Sequence, residues 1–253
     1  GTGVVFFLDT GDKKYKVELV IEDNESKAES AVKVATKLIT EDEVLMIVGP
    51  QSSKQAIPAG EVANNYSTPM ISPWSTNPDT TKGRPFVFRG CFLDPFQGPV
   101  LAKYIHGEGS VVAFESFTTK DTDFSSQLTN IKSSGAQVLF TPQYYNEVAL
   151  IVQQAHQLGF NAPIVGSDSW GSAETVELCG EDCYGLFFST HYAAAGATGA
   201  TKEFIDRYQA KHGYVPDDVG ALTWDAMRIV QAAIESAGEL TGDIKKDRKS
   251  VRD

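Results

Sequence analysis

Long apolar runs and basic residues are both scarce in this sequence, and each shortage excludes a class of protein. No stretch approaches the ~20 consecutive apolar residues that a membrane-spanning helix needs. Lys and Arg number 22 against 33 Asp and Glu, which gives a formal net charge of −11 at pH 7. Nucleic-acid binding depends on clustered basic side chains, so no nucleic-acid partner is expected. The start, residues 1–5, shows no signal peptide, although a processed N-terminus would look the same.

Cysteine is also scarce, and the three cysteines form no metal-binding or redox pattern. There is no Cys-x-x-Cys pair and no histidine at zinc-finger spacing, so we expect neither a metal nor another cofactor. Cys179 and Cys183 flank a predicted helix end. A short-loop disulfide in an oxidising compartment and two separate buried thiols fit that spacing equally well. Cys91 is expected to be a small buried apolar residue.

Catalytic motifs are missing as well. The sequence has no Gly-x-Ser-x-Gly elbow, no His-Glu-x-x-His metal motif and no phosphate-binding loop. The Gly-x-Gly at 107–109 lacks the third glycine of a dinucleotide loop and precedes a predicted strand. Asp217 and Asp218 are interpreted as helix-start acids rather than metal ligands. A binding protein is therefore favoured over an enzyme.

Strand-like and helix-like segments alternate along the chain. With 253 residues and an apolar share of 42%, one large or two smaller α/β domains are expected. Such alternation predicts parallel sheets covered by helices on both faces. The predicted strands are Val4–Leu8, Val17–Ile21, Val44–Val48, Met70–Ser72, Phe86–Phe88, Val111–Phe114, Gln137–Phe140, Pro163–Val165 and Gly185–Ser189. The predicted helices are Ser26–Leu38, one from Ser53, Gln97–Ile105, Phe124–Ser134, Glu147–Leu158, Ser172–Cys179, Lys202–His212, Asp217–Ala237 and Asp243–Asp253.

The elements form two sets of similar organisation, which predicts two α/β lobes. Residues 1–106 are expected to form the N-terminal lobe and residues 107–189 the C-terminal lobe. Residues 190–253 are expected to cross a hinge and to add helices, which the sequence does not assign to either lobe.

Hydroxyl side chains follow two neighbouring predicted strands. Ser53 comes shortly after Val44–Val48, and Ser75 and Thr76 come shortly after Met70–Ser72. In open α/β sheets, ligands lie beyond the carboxyl ends of the strands. A helix that begins at Ser53 adds free N–H groups and a positive dipole end, which suit a carboxylate. The alternative is that Ser53 only caps a helix and Thr76 only stabilises a turn.

An ordered set of segments resembles a known family. The segments are GPQSS, ISPWSTNP, FRGCFLDPFQGPVLAKYI, KDTDFSSQLTNIKSSGAQVLF, IVGSDSW and ALTWDAMRIVQAAIESAG. Together they resemble the type I periplasmic binding proteins, in particular the leucine/isoleucine/valine-binding proteins of ABC amino-acid importers. The resemblance implies two doubly wound parallel-sheet lobes with a hinge and a ligand cleft between them.

The resemblance also implies which residues bind the ligand. The ligand's carboxylate would be held by the hydroxyls of Ser53, Ser75 and Thr76 and by the backbone of Trp74. Asp168 would pair with its ammonium group. Short charge-assisted hydrogen bonds can hold a carboxylate without a buried Arg. The alternative for Asp168 is a helix cap.

Two aromatic residues complete the candidate site. The family often places a tyrosine against the ligand at the position of Tyr144, and Trp170 flanks the proposed ammonium site. Both tryptophans, Trp74 and Trp170, offer apolar area to a ligand side chain. The alternatives are a surface or hinge role for Tyr144 and packing under a loop for the tryptophans.

The function that follows is capture of a free amino acid, with an aliphatic one favoured over an acidic one. The expected partner is the membrane permease of an ABC importer, and the expected protein is a monomer in the periplasm or on the cell surface. The alternatives are a ligand-sensing receptor ectodomain and an amide hydrolase or negative regulator of the same fold.

Two joints are too short for this fold. Between Val4–Leu8 and Val17–Ile21 there is no room for the ~12 or more residues of a parallel crossover, so a hairpin is the alternative. Gln97–Ile105 passes into Val111–Phe114 with little linker. The family has a helix at the first joint, a strand and a helix at the second, and closing strands after the last helix. A protein that truly lacked these crossover units would expose the apolar faces of its sheets. We therefore expect that further residues of the protein belong at the two joints.

We therefore predict that Gly11–Asp12 and His106–Gly107 are not continuous peptide links. An uninterrupted chain of this sequence has a mass of 27.4 kDa. Intact-mass spectrometry should give a larger value, because further residues belong at the joints. A measured mass of 27.4 kDa would mean that these segments are truly absent.

Overall fold

Parallel strands and helices build two units, each around a sheet of its own. The computed structural model describes residues 6–9, 13–106, 109–118 and 120–253. The first unit comprises residues 1–94 and 219–253, and the second comprises residues 95–218. The predicted lobe boundaries at 106 and 189 stay predictions, whereas the division by packing falls at 94 and 218.

The elements largely follow the predicted alternation. The strands are β1 Phe6–Asp9, β2 Lys14–Val17, β3 Ile47–Val48, β4 Met70–Ser72, β5 Val87–Arg89, β6 Leu139–Thr141, β7 Ile164–Gly166 and β8 Phe187–Phe188. The α-helices are α1 Ala28–Thr40, α2 Ser53–Asn65, α3 Asp94–His106, α4 Ser125–Ser133, α5 Tyr145–Gln157, α6 Glu174–Cys179, α7 Gly199–His212, α8 Asp218–Ala237 and α9 Ile244–Arg252. Strands β3, β4 and β5 pair in parallel in that order, as do β6, β7 and β8.

The first sheet is covered on both faces, as the sequence predicts. Successive side chains of a strand point to opposite faces. Met70 of β4 packs with buried residues of α1 and α2, whereas the adjacent Ile71 packs with residues of α8 and α9. Gly60 permits the close approach of α2, because a Cβ there would lie 3.1 Å from Met70 Cε and 3.3 Å from Val87 Cγ1.

The first two strands form an antiparallel hairpin, which was the alternative to a parallel crossover. Phe6 pairs with Val17 and Asp9 with Lys14. The predicted second strand therefore ends earlier than expected, and Ile21 is 81% exposed. Of the predicted chain breaks, Gly11 and Asp12 lie outside the described residues, and so does Gly107.

The second unit has its core on one face of its sheet. Leu139 and Ile164 pack with Val148 and Val152 of α5 and with Phe124. Phe140, on the opposite face of β6, is 44% exposed. A disulfide joins Cys179 to Cys183 across 5.6 Å between their Cα atoms, which settles the two readings of that spacing. Cys91 is half-buried, more open than predicted.

Two local predictions are wrong. The segment Val111–Phe114 is not a strand, and Val111 and Phe114 are 83% and 88% exposed. A strand needs a hydrogen-bonded neighbour, and no pairing reaches this segment within the part of the chain that the structure describes. The helix predicted to begin at Ser26 begins at Ala28, because Lys27 is the N-cap of α1 and Asn24 Oδ1 accepts the Ser26 N–H at 2.9 Å.

Adjacent residues Asp247 and Arg248 fasten α9 to the first unit. The buried Arg248 guanidinium donates to the carbonyl oxygens of Ile39 and Val44 at 2.8–3.0 Å. Asp247 accepts from the backbone N–H and the hydroxyl of Thr241, both at 2.8 Å, and from the Gly242 N–H at 3.0 Å. Burial alone would raise the pKa of the Asp247 carboxyl, but these hydrogen bonds outweigh it and lower the pKa.

We predict that Asp247→Asn lowers stability in a pH-dependent way. A folded-state pKa below the unfolded value means that ionised Asp247 stabilises the fold above about pH 4, and that this contribution is lost as the pH falls through the folded pKa. Urea unfolding should show the largest loss near neutral pH and a shrinking one in acid. Asp225→Asn, at an exposed position of α8, is the control. An equal loss at every pH would contradict the prediction.

Candidate functional site

Three hydroxyl groups meet at the carboxyl ends of β3 and β4. The Ser75 hydroxyl lies 2.9 Å from Ser53 Oγ, to which it donates, and 2.6 Å from Thr80 Oγ1. Ser75 and Thr80 are fully buried, whereas Ser53 and Thr76 are partly exposed. We call Ser53, Ser75 and Thr80 the hydroxyl cluster. It brings together two hydroxyls that the sequence predicted to be neighbours, Ser53 and Ser75.

The helix-capping alternative for Ser53 is wrong. Ser52 is the N-cap residue of α2, and Ser53 is the first residue of the helix. The Ser53 hydroxyl instead accepts a hydrogen bond from Ser75, and more weakly from the Asn77 N–H at 3.4 Å. The turn role considered for Thr76 belongs to Asn77, whose Oδ1 accepts the Asp79 N–H at 2.9 Å.

Arg89 holds the loop that carries the predicted carboxylate ligands. Its guanidinium donates to the carbonyl oxygens of Ser75 and Asn77 at 2.8 and 2.9 Å, and to that of Pro78 at 3.2 Å. A fourth bond, 2.7 Å long, reaches Thr81 Oγ1. Burial lowers the pKa of Arg89 below its ordinary value. This side chain at the end of β5 thus orders the loop.

In the second unit, Asp168 is bound by an amide side chain. The Gln97 side chain on α3 donates from Nε2 to Asp168 Oδ1 at 2.8 Å and accepts the Asp168 backbone N–H on Oε1 at 3.0 Å. Ser189 donates a further hydrogen bond to Gln97 Oε1. Gln97 and Asp168 are each only 6% exposed. An amide carries no charge, so this pairing orients the carboxylate without itself neutralising it.

Asp168 opens a short 3-10 helix, Asp168–Trp170, directly beyond the end of β7. Ser167 is the N-cap residue of this helix, so the capping alternative for Asp168 is wrong. The Ser169 hydroxyl donates to the Gln143 carbonyl at 2.7 Å, which ties the turn to the end of β6. The Asp168 carboxylate therefore lies at the carboxyl end of a buried parallel strand, in a turn that is held by the Ser169 hydrogen bond.

Trp170 fills the space beneath β7. Its side chain is 2% exposed, and a Cβ on Gly166 would lie 2.1 Å from Trp170 Cε2, so only glycine fits there. Its ring centroid lies 6.2 Å from that of Phe188. The structure thus shows the packing role that the sequence left open for Trp170, and a contact with a ligand stays a prediction.

Tyr144 and Trp74 are more open. Tyr144, the N-cap residue of α5, is 44% exposed, and Trp74 is half-buried in the loop after β4. Both stay predicted ligand contacts. Asp218, which the sequence analysis interprets only as a helix-start acid, forms a buried pair with His191 at 3.0 Å between Oδ2 and Nδ1.

Sequence reasoning missed Thr80, Arg89, Gln97 and Ser189. Thr80 and Arg89 meet partners only 5 to 14 residues away, in a loop whose shape no local pattern reveals. Gln97 instead meets Asp168 across 71 residues, and Ser189 meets Gln97 across 92. No group of three potential metal ligands occurs among the residues that the structure describes. Within the same residues, no helix is both long and apolar enough to cross a membrane.

Comparison with known proteins gives consistent matches. A family model described as periplasmic binding protein matches residues 101–247, and one described as receptor family ligand binding region matches residues 9–109. A leucine-, isoleucine-, valine-, threonine- and alanine-binding protein of Pseudomonas aeruginosa is 28% identical over 270 aligned positions, which cover 94% of this chain and 71% of the relative. Because that alignment is longer than the 253-residue chain, the relative carries residues that have no counterpart here.

Two solved structures are similar over most of the chain. The leucine-binding protein LivK of Thermotoga maritima is 33% identical with a TM-score of 0.87, over 96% of this chain and 77% of that one. LivJ of Streptococcus pneumoniae, solved with isoleucine, is 30% identical with a TM-score of 0.84, over 91% of this chain and 75% of that one. These likenesses confirm the predicted α/β fold class.

We predict that Gln97→Glu makes Asp168 titrate abnormally. The substitution places a second carboxylate about where Nε2 now lies 2.8 Å from Asp168 Oδ1. Two buried carboxylates this close repel each other, so the pair should retain a proton well above the ordinary range of ~4. Carbon-detected NMR titration of the side-chain carboxyls would measure this apparent pKa.

The matched control is Gln231→Glu on α8. Gln231 Nε2 also lies 2.8 Å from a carboxylate oxygen, that of Glu235, but both residues are exposed. Water should screen this repulsion, so the control should titrate nearly normally. Equal titration of the two variants would show that the Asp168 carboxylate is not held in a confined site.

Proposed function

Because the chain belongs to the periplasmic binding protein family, we propose that it captures a free aliphatic amino acid for an ABC importer. The observation that carries the proposal is the nearly buried Asp168 carboxylate, positioned by Gln97 at the carboxyl end of β7. A carboxylate at the end of a buried strand suits the ammonium group of an amino acid, because opposite charges attract strongly where water is largely excluded.

The first unit would supply the contacts to the ligand's carboxylate. Ser53 and Thr76 are partly exposed, so their hydroxyls can donate to an anion together with the backbone N–H groups near Trp74. The buried Ser75 hydroxyl, held between Ser53 and Thr80, would orient Ser53 and offer its own backbone N–H. The N-terminus of α2 adds the favourable end of a helix dipole.

The preference for an aliphatic ligand rests on relatives and on the available aromatic surface. LivK of Thermotoga maritima is named for leucine, and LivJ of Streptococcus pneumoniae was solved with isoleucine. Trp74 and Tyr144 are the open aromatic side chains among the predicted contacts. Arg89 is engaged by four loop acceptors, so it would not meet the second carboxylate of an acidic ligand.

A location outside the cytoplasm agrees with this proposal. The Cys179–Cys183 disulfide suits an oxidising compartment such as the periplasm. The expected partner is the permease of the importer, which would read the ligand-bound form. We propose that the protein acts as a monomer and performs no chemistry on its ligand.

A second candidate function is ligand sensing as part of a receptor. The match of residues 9–109 to a receptor-family ligand binding region favours it. Both functions require the same amino-acid site, and they differ in the partner protein that recognises the ligand-bound form. Ligand-dependent stimulation of a reconstituted importer ATPase would favour transport over sensing.

An amide hydrolase of the same fold is tested separately. The protein would be incubated with a panel of amino acids and amides, and mass spectrometry would reveal any product of turnover.

We predict that Asp168→Ala abolishes tight amino-acid binding. Calorimetry with the twenty amino acids should show the best affinity for an aliphatic one. The loss of the buried charge partner should cost ~3–5 kcal/mol, about a hundredfold or more in affinity. The control is Asp182→Ala, which removes an exposed carboxylate of the same unit that pairs with His156 at 2.9 Å. An Asp168→Ala protein that binds as wild type does would overturn the ammonium site, and a preference for glutamate would overturn the aliphatic ligand.

A further inference from the structure

The loop after β4 has every carbonyl oxygen of residues 75–78 engaged by a donor of the protein itself. Arg89 donates to three of the four, at 2.8, 2.9 and 3.2 Å. The Asp94 N–H donates to the fourth, that of Thr76, at 3.0 Å. A carbonyl oxygen carries a partial negative charge and repels a carboxylate. The groups of this loop that would oppose an anion are therefore held by Arg89 and Asp94.

The peptide group between Ser75 and Thr76 directs its two polar atoms to opposite sides. It is trans and planar, so its C=O and its N–H point in opposite directions. Because the Ser75 carbonyl accepts from the Arg89 guanidinium, the Thr76 N–H points away from that guanidinium. This N–H has no hydrogen-bond acceptor among the residues that the structure describes, and Thr76 is only partly buried. The Thr76 N–H is therefore a donor that an added acceptor can use.

The guanidinium also affects the strength of that donor. Hydrogen bonds in a chain polarise one another, and a charged donor polarises its partner more than a neutral one does. The positive charge on the Ser75 carbonyl draws electron density out of the peptide group, so the Thr76 N–H becomes a better donor. A donor that is fixed and polarised in this way favours an anion.

We propose that Arg89 is a positioning residue that makes the Thr76 N–H a fixed donor to a carboxylate. This inference rests on the proposed amino-acid function, and it assigns the anion preference of the loop to a side chain that the ligand does not touch. A guanidinium reaches several acceptors at fixed angles, whereas a lysine ammonium is a compact point charge. The shape of the Arg89 side chain is therefore required in addition to its charge.

Arg89→Lys tests this requirement, because it keeps the charge and loses the planar guanidinium. Acetate is the probe, since it carries a carboxylate and no ammonium group. Proton–nitrogen NMR of the full chain would follow the backbone N–H signal of Thr76. We expect acetate to move this signal downfield in a saturable way in wild type. We expect acetate to bind Arg89→Lys roughly tenfold or more weakly, as for a lost hydrogen bond to a charged group.

Arg84→Lys is the matched control. Arg84 is half-buried, as Arg89 is, and it donates to the carbonyl oxygens of Asp79 and Thr80. The N–H groups of the same two peptides already donate within the loop, at 3.1 and 3.3 Å. Arg84 therefore holds no N–H that is open to an added anion, and acetate should bind Arg84→Lys as it binds wild type. An equal loss in Arg84→Lys and Arg89→Lys would overturn the proposal, because it would show a general loosening of the loop.

Thr81→Val tests the same contact with the arginine kept. It removes Thr81 Oγ1, which accepts from Arg89 at 2.7 Å, and leaves a side chain of similar size. Acetate should bind this variant roughly 2- to 10-fold more weakly, because Arg89 loses one of its restraints. This variant decides the question if Arg89→Lys does not fold. Wild-type acetate affinity in Arg89→Lys, or in Thr81→Val if the lysine variant does not fold, would overturn the proposal, and so would a Thr76 signal that acetate does not move.

Leucine and leucinamide separate this inference from the proposed function. Leucinamide keeps the ammonium group and the side chain of leucine but has no carboxylate. Arg89→Lys should therefore weaken the binding of leucine and leave that of leucinamide unchanged. Equal leucine affinity in Arg89→Lys and wild type would overturn the role of Arg89 and leave the amino-acid function standing. Conversely, a protein that responds to acetate as described but binds no amino acid would overturn the proposed function alone.

Discussion

Asp168 is held in place by a neutral amide, and the ligand contact proposed for the second unit depends on that pairing. The Gln97 side chain meets both the carboxylate and the backbone N–H of Asp168, so it fixes the direction of the carboxylate as well as its position. Gly166 leaves room for the Trp170 ring beneath β7, and this lets the chain turn sharply directly after the strand. An Arg in place of Gln97 would also hold the carboxylate, but its positive charge would compete with the ammonium group of the proposed ligand.

In the first unit, the half-buried cation Arg89 holds a loop. Arg89 donates to carbonyl oxygens of the loop and to the Thr81 hydroxyl, and Ser75 of the same loop donates its hydroxyl hydrogen to Ser53. The positive charge thus orders the loop, and the proposed contacts to the ligand's carboxylate are hydroxyls and backbone amides. Binding by such neutral donors depends on their orientation, so the rigidity that Arg89 gives to the loop matters more than its charge.

The spacing of apolar residues along the chain predicted most helices and strands, because in those segments the apolar residues are the ones that are buried. Met70–Ser72 is buried at every position and was predicted with its observed bounds. Val111–Phe114 has an equally apolar pattern, but a strand also needs a neighbour, which no local pattern reveals. The same limit explains the site: Ser53, Ser75 and Asp168 follow predicted strand ends, whereas Gln97 meets Asp168 across 71 residues. The orientation of Arg89 and the burial of Trp170 likewise depend on tertiary packing.

The discontinuous first unit has a consequence for the order in which the two units can fold. Residues 95–218 form one stretch of the chain, so the second unit can fold as soon as that stretch is available. The first unit cannot, because one face of its sheet stays uncovered until α8 and α9 have been made. Ile71 packs against Ala226 and Ile234, which are translated more than half the chain later. The sheet of the first unit is therefore the last to be enclosed, although its strands come first in the chain.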